Sequence, residues 1–176
     1  KDFLITLSTP PKSRSFYYKD EKFTAQVTAR DQDNHSVSNY QGTMQLTSSD
    51  NSLSSTYTFL TADSGQHSFS LSFSSGGKKT LTAKDTSYTS VEGQSAEFEI
   101  KEAKIKVFST SGPVGTVAVT VEILDAQDEV ISEDDSTTFT VTLSESTANN
   151  STTCDAVTTA VTIKGGAATI YIKDQQ

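Results

Sequence analysis

Two histidines, His35 and His67, and a single cysteine, Cys154, are the side chains able to carry proton transfer near neutral pH, soft-metal binding or thiol chemistry. One cysteine forms no intrachain disulfide, and with two histidines it assembles no Cys/His zinc cluster. Cys154 lies in the polar stretch Ser151-Thr152-Thr153-Cys154-Asp155 and reads as an inert surface or edge thiol. His67 follows Gly65-Gln66 at a strand start and reads as a partly exposed strand residue. Ser and Asp are spread along the whole chain, so no Ser/His/Asp triad stands out.

Carboxylates are the remaining chemistry. Asp31, Asp33 and Asn34 cluster in one stretch and Asp125, Asp128 and Glu129 in another, each following a long alternating segment. Oxygen-rich loops bind calcium when six to eight oxygens converge and form plain turns when they do not. The first cluster lacks a third and fourth carboxylate, which favours the turn while leaving calcium open. Asp134 and Asp135 are adjacent, so in an extended chain they point opposite ways and make a poor acid and base pair. Gly76-Gly77 and Gly165-Gly166 sit between strands with no helix following; they read as hairpin turns rather than phosphate cradles. Asn34-His35-Ser36, Asn149-Asn150-Ser151 and Asn150-Ser151-Thr152 fit the N-glycosylation pattern, making Asn34, Asn149 and Asn150 candidate acceptors. No catalytic, cofactor-binding or metal-ligating set is assigned.

The elements that would position these groups follow from composition and periodicity. Ser and Thr make up 53 of 176 residues, a bias toward strands and turns, because Thr is β-branched and Ser competes for helix backbone groups. The net charge of -8 repels phosphate backbones and anionic headgroups, so nucleic acid and membrane surfaces are poor partners. No stretch approaches the ~18 apolar residues of a membrane span. Lys1 begins the sequence with no apolar signal region after it, which suits a processed mature chain or an excised piece.

Period-two alternation recurs throughout, and no window of ~11 residues or more carries a 3.6-residue apolar repeat. Phe3, Ile5 and Leu7 point one way and Leu4, Thr6 and Ser8 the other, until Pro10-Pro11 ends the strand. Phe23, Ala25, Val27 and Ala29 alternate likewise. Met44 with Leu46, Tyr57 to Leu60, Phe69 to Phe73, Leu81 with Ala83, and Phe98 with Ile100 continue the series. A second series holds Ile105 with Val107, Val117 to Ile123, Phe139 to Leu143, Val157 to Ile163, and Ile170 with Ile172. The spacing predicts immunoglobulin-like sandwiches. No Gly, Pro or Ser separates Phe98 from Phe108, so a stiff joint is expected there. The aromatic group Phe16, Tyr17 and Tyr18 reads as packing over a sandwich end or as an exposed binding patch. Glu129, Glu133, Asp134 and Asp135 concentrate the acid of the second half and read as a solvated loop.

Val27-Thr28-Ala29-Arg30-Asp31, Tyr40-Gln41-Gly42-Thr43 running into Leu46-Thr47-Ser48-Ser49-Asp50, Tyr57-Thr58-Phe59, Ala62 to Phe69, and Lys79 to Thr86 follow one another in order. Through these phrases residues 1–102 resemble the immunoglobulin-like repeats, filamin-like in pattern, of long secreted and cell-surface proteins in bacteria and archaea. Residues 103–176 resemble the immunoglobulin-like domains of invasin-type adhesins and surface-layer proteins, through Val119 to Asp125 and Gly166 to Ile172. The resemblance implies a non-enzymatic spacer, stalk, lattice or filament module outside the cell, and transfers no binding residues.

The expected architecture is therefore all-β, with two tandem immunoglobulin-like β-sandwiches at 1–102 and 103–176, the second short of its last strands. The expected function is an extracellular structural subunit or repeat of a filament, sheath, surface layer or stalk, self-associating with neighbouring copies or further repeats. The alternative is an adhesin fragment that stays monomeric and binds a glycan or host protein. An incomplete second sandwich seeks a strand. Phe3, Leu4, Ile5, Thr6 and Leu7 are the candidate donor strand for a neighbouring subunit.

Overall fold

The computed structural model describes residues 1–11, 14–111, 116–142 and 158–173. These residues are all-β apart from one short 3-10 turn at Thr61–Asp63. The chain divides into two compact units, Lys1–Pro10 with Ser15–Glu102, and Pro11–Arg14 with Ala103–Gln176.

Unit 1 is an immunoglobulin-like sandwich. Its strands are β1 (Asp2–Leu7), β2 (Tyr17–Tyr18), β3 (Phe23–Arg30), β4 (Thr43–Ser48), β5 (Ser54–Thr58), β6 (Gln66–Leu71), β7 (Gly77–Lys79), β8 (Leu81–Asp85), β9 (Glu92–Gln94) and β10 (Phe98–Lys101). One sheet runs β1-β3-β6, the other β5-β4-β8-β9, and β2-β10-β7 forms a third group. Alternation decides which side chains turn inward. Phe3 and Ile5 stand opposite Ala29 and Val27, and all four are buried. Met44 and Leu46 of β4 and Leu81 and Ala83 of β8 join them in one apolar cluster between the sheets. The aromatic group is core rather than patch: Phe16 and Tyr17 are buried, and Tyr17 stacks on Phe23 with ring centroids 4.1 Å apart.

The run β7 to β8 and its antiparallel partner β9 to β10 are joined through a bulge. Thr82 pairs with Gln94 but Lys79 pairs with Phe98, so Ser95, Ala96 and Glu97 face only two residues. Ser95 repairs the ladder: its N–H donates to the Leu81 carbonyl at 2.9 Å, and its Oγ accepts the Leu81 N–H at 2.9 Å. Glycine is required nearby, since a Cβ on Gly93 of β9 would lie 1.7 Å from the Phe3 carbonyl oxygen of β1. The glycine pairs are not simple hairpin turns as expected. Gly76-Gly77 leads from β6 into β7, which begins at Gly77 and belongs to a different sheet, so the chain crosses there.

Unit 2 holds β11 (Lys104–Ser111), β12 (Thr116–Leu124), β13 (Thr138–Thr142), β14 (Thr158–Thr162) and β15 (Ala167–Lys173), in sheets β11-β12-β15 and β13-β14. Gly165-Gly166 does make a two-residue turn, with Lys164 and Ala167 exchanging backbone hydrogen bonds, but β14 and β15 on either side enter different sheets. In chain order the five strands repeat β1, β3, β4, β5 and β6 of unit 1, with the same pairings. Among the described residues, unit 2 has no counterpart of β8 and β9. Ala118, Val121, Ile123, Leu124, Ile131 and Ile163 are buried. Ile105 and Val107 are not: they are 65% and 61% exposed, opposite buried Ile123 and Val121.

The candidate donor residues Phe3, Leu4, Ile5, Thr6 and Leu7 lie in β1 of unit 1, fully paired with β3. Phe3 and Ile5 are 2% and 6% exposed there.

Candidate functional site

The oxygen-rich loop after β3 is built by its first residue. Asp31 Oδ1 accepts the N–H groups of Asp33 at 2.8 Å and His35 at 2.9 Å, closing an Asx turn. The Asp31 N–H donates to the His35 carbonyl, and Asn34 takes the left-handed conformation with φ 66°. The His35 N–H, more than any other group, holds the Asp31 carboxyl below its ordinary range. Donor atoms of Asp31, Asp33 and His35 lie within 4.8 Å of one another. Asn34, the candidate glycosylation residue, is exposed at this turn. Asn149, Asn150 and Cys154 lie outside the described residues.

The same loop recurs after β12. Asp125 Oδ1 accepts the N–H groups of Gln127 at 2.9 Å and Glu129 at 3.0 Å, and Asp128 has φ 65°. The Ile131 N–H donates to the Ile123 carbonyl as Val37 does to Ala29, both at 2.9 Å. The Ile123 N–H donates to Gly166 as Ala29 does to Gly65, at 2.8 and 2.9 Å. Both glycines have φ 76°, and a Cβ would meet the Val37 and Ile131 carbonyl oxygens at 2.2 and 2.5 Å. Gln127 and Glu129 replace Asp33 and His35 in the second loop, so what repeats is the turn and not the ligand trio.

Three further carboxylates of unit 1 hold loops in the same manner. Asp85, buried at the end of β8, accepts the Tyr40 hydroxyl at 2.5 Å and the N–H groups of Ser87 and Tyr88 at 2.7 and 2.8 Å. Burial works to raise the Asp85 carboxyl, but these donors outweigh it and leave it lowered. Burial, then the hydrogen bond to Asp85 and lastly that carboxylate's charge, push the Tyr40 phenol up. Asp50, in the β4–β5 turn, accepts from the Lys79 ammonium, the Ser48 hydroxyl at 2.6 Å and the Ser52 hydroxyl at 2.7 Å. Burial opposes ionisation of Asp50 as well, and the same donors hold it well below the carboxylate range. Lys79 is itself buried, its ammonium 5.3 Å from the Phe73 ring centroid.

Asp63 sits between Tyr57 and His67 in the arrangement nearest to a base with its orienting acid. Tyr57 donates to Oδ2 at 2.8 Å, His67 Nδ1 lies 3.5 Å from Oδ1, and the imidazole stacks on Tyr57 with centroids 3.6 Å apart. Asp63 also accepts the Leu60 N–H at 2.7 Å, the largest influence lowering its carboxyl. Both oxygens and both rings are thereby occupied within the unit.

Asp134 corrects the reading of an acidic, solvated loop: it is fully buried. Its Oδ1 accepts the N–H groups of Ser136 and Thr137, each at 2.9 Å, and Oδ2 the Thr137 hydroxyl at 2.5 Å. A buried carboxylate needs such donors, and a folded-back turn supplies them. Sequence reasoning missed the Tyr40–Asp85 and Lys79–Asp50 pairs, whose members lie far apart along the chain, and Ser95, which sits in a bulge.

A family model described as DUF6701, third domain, matches residues 1–161. The chain belongs to this family. The match covers unit 1 and continues into unit 2 as far as residue 161. No curated protein matches the chain. Solved structures to which it is similar include a β-glucuronidase of Parabacteroides merdae, at 14% identity and TM-score 0.33, covering 98% of this chain and 21% of that one. Another is the D0-D1 domain of Intimin, at 14% identity and TM-score 0.37, covering 98% of this chain and 83% of that one. The chain thus spans about a fifth of the glucuronidase, and neither likeness is close enough to carry an argument about activity or partners. Among the described residues, no helix is long and apolar enough to cross a membrane.

Proposed function

We propose that this DUF6701 chain is a non-enzymatic extracellular structural module, a repeat or subunit of a surface filament, sheath, surface layer or stalk. The observation that supports it is the repeat itself: the strand order β1, β3, β4, β5, β6 and its Asx loop are built twice in one chain. Tandem copies of one sandwich are the kind of unit from which a repeat-built spacer or stalk is made. The carboxylates able to do chemistry support the same reading, since Asp31, Asp50, Asp63, Asp85, Asp125 and Asp134 all accept hydrogen bonds that shape loops.

The partners on this reading are neighbouring copies or further repeats of the same protein. Donation of β1 to a neighbour would strip Phe3 and Ile5 from the core of unit 1, so we do not place the contact between copies on that strand. The test is binding of the purified chain to glycan arrays and immobilised extracellular proteins. A structural module shows no saturable signal. Saturable binding that survives physiological salt would replace this reading with the adhesin one.

A further inference from the structure

The two units place the same strand in different surroundings. Residues directly opposite in an antiparallel pair share a face, so Ile105 and Val107 of β11 occupy the positions that Phe3 and Ile5 occupy in β1. In unit 1 that face is covered: β1 packs against β9 and β8, with Gly93 passing over Phe3. There the pair is 2% and 6% exposed, whereas in unit 2 Ile105 and Val107 are 65% and 61% exposed. The companion edge is open too. In unit 1, β4 pairs with β5 on one side and β8 on the other; among the described residues β13 pairs with β14 alone.

We propose that the Ile105 and Val107 face of β11, together with the edge of β13 that has no partner among the described residues, is an acceptor for a β-hairpin of the β8–β9 type, entering from the same polypeptide after β15. The repeat defines the occupant. Its first strand runs antiparallel to β13 and turns small or branched apolar residues inward, as Leu81 and Ala83 do. Its second strand carries glycine where it crosses β11, as Gly93 crosses β1. Chain order defines the source: through β15 the strands follow the order of unit 1, in which the covering strands come after β6. A hairpin in that position completes both the ladder and the core by β-augmentation.

This inference rests on the structural-module reading, and its test is independent of that reading. Val107→Cys is placed in a Cys154→Ser chain, and thiol modification is timed with and without a second copy of residues 76–102 appended after Gln176 through a short flexible linker. In the chain alone the thiol reacts at close to the rate of a small free thiol, and the chain sediments as a monomer. The appended copy slows modification by ~100-fold or more, as burial in a closed sandwich requires. Changing the appended copy's glycine (Gly93→Val) restores the fast rate, which nonspecific apolar covering would not do. Unchanged reactivity with the appended copy overturns the proposal. Protection in the chain alone, accompanied by dimerisation, overturns it in favour of a second copy as the occupant.

Discussion

Equivalent positions on β1 and β11 ought to respond unequally to the same truncation. Ile5 is 6% exposed and faces Val27, which is fully buried; removing its outer carbons leaves a cavity under β8 and β9. Deleting a buried Ile side chain to Ala costs about 2–5 kcal/mol, and about 3 kcal/mol is expected because β1 is an edge strand able to settle inward. Val107 is 61% exposed, so less than half of its surface leaves water on folding. Val107→Ala should cost about 0.5 kcal/mol, mostly the lost preference of a β-branched residue for a strand. Urea unfolding followed by amide signals assigned to each unit separates the two. With an m-value of about 1.5 kcal/mol per molar, Ile5→Ala lowers the midpoint of unit 1 by about 2 M, and Val107→Ala moves that of unit 2 by about 0.3 M. Equal losses at the two sites would show that β11 is covered in solution, and would refute the reasoning from exposure.

Other outcomes follow from single contacts. Tyr40→Phe removes the hydroxyl from buried Asp85 and should destabilise unit 1 by about 1.5–3 kcal/mol at neutral pH, read from the urea midpoint. The lowered carboxyls of Asp85 and Asp50 contribute stability above the unfolded carboxylate value of about 3.9 and lose it as pH falls through their folded values. Unit 1 should therefore weaken on acidification below about pH 4 in an acid titration of ellipticity, and Asp50→Asn should flatten that dependence. Asp134→Ala leaves the Ser136 and Thr137 N–H groups without their acceptor and should cost unit 2 at least about 2 kcal/mol, unlike Glu133→Ala on the exposed neighbouring residue. Gly93→Ala forces a Cβ against the Phe3 carbonyl and should cost unit 1 about 3 kcal/mol in thermal unfolding.

Alternation made β1, β3 and β4 legible, because one face of each is buried and a one-residue slip would expose all of it. Phe3, Ile5, Val27, Met44 and Leu46 are core as their spacing indicates. The short strands were not legible. β9 is Glu92-Gly93-Gln94, with no apolar residue to mark it, since its middle position serves close approach rather than burial. β2 is two residues long and is a strand only because β10 pairs with it in parallel. The turn at Asp31 could be read from its residue types, since an Asx turn needs only local N–H donors. The Tyr40–Asp85 and Lys79–Asp50 pairs could not, because only the sandwich brings such separated residues together. Asp134 misled for the opposite reason: its donors are two and three residues away, and composition counts its charge without showing that the turn encloses it.

The central claim, an extracellular structural module, is tested most directly by immunogold electron microscopy of intact cells that make this protein, labelled with an antibody to unit 1. The account predicts gold on extended or layered material outside the cell, lost after brief protease treatment of the unbroken cells. Label found only after the cells are opened would contradict it.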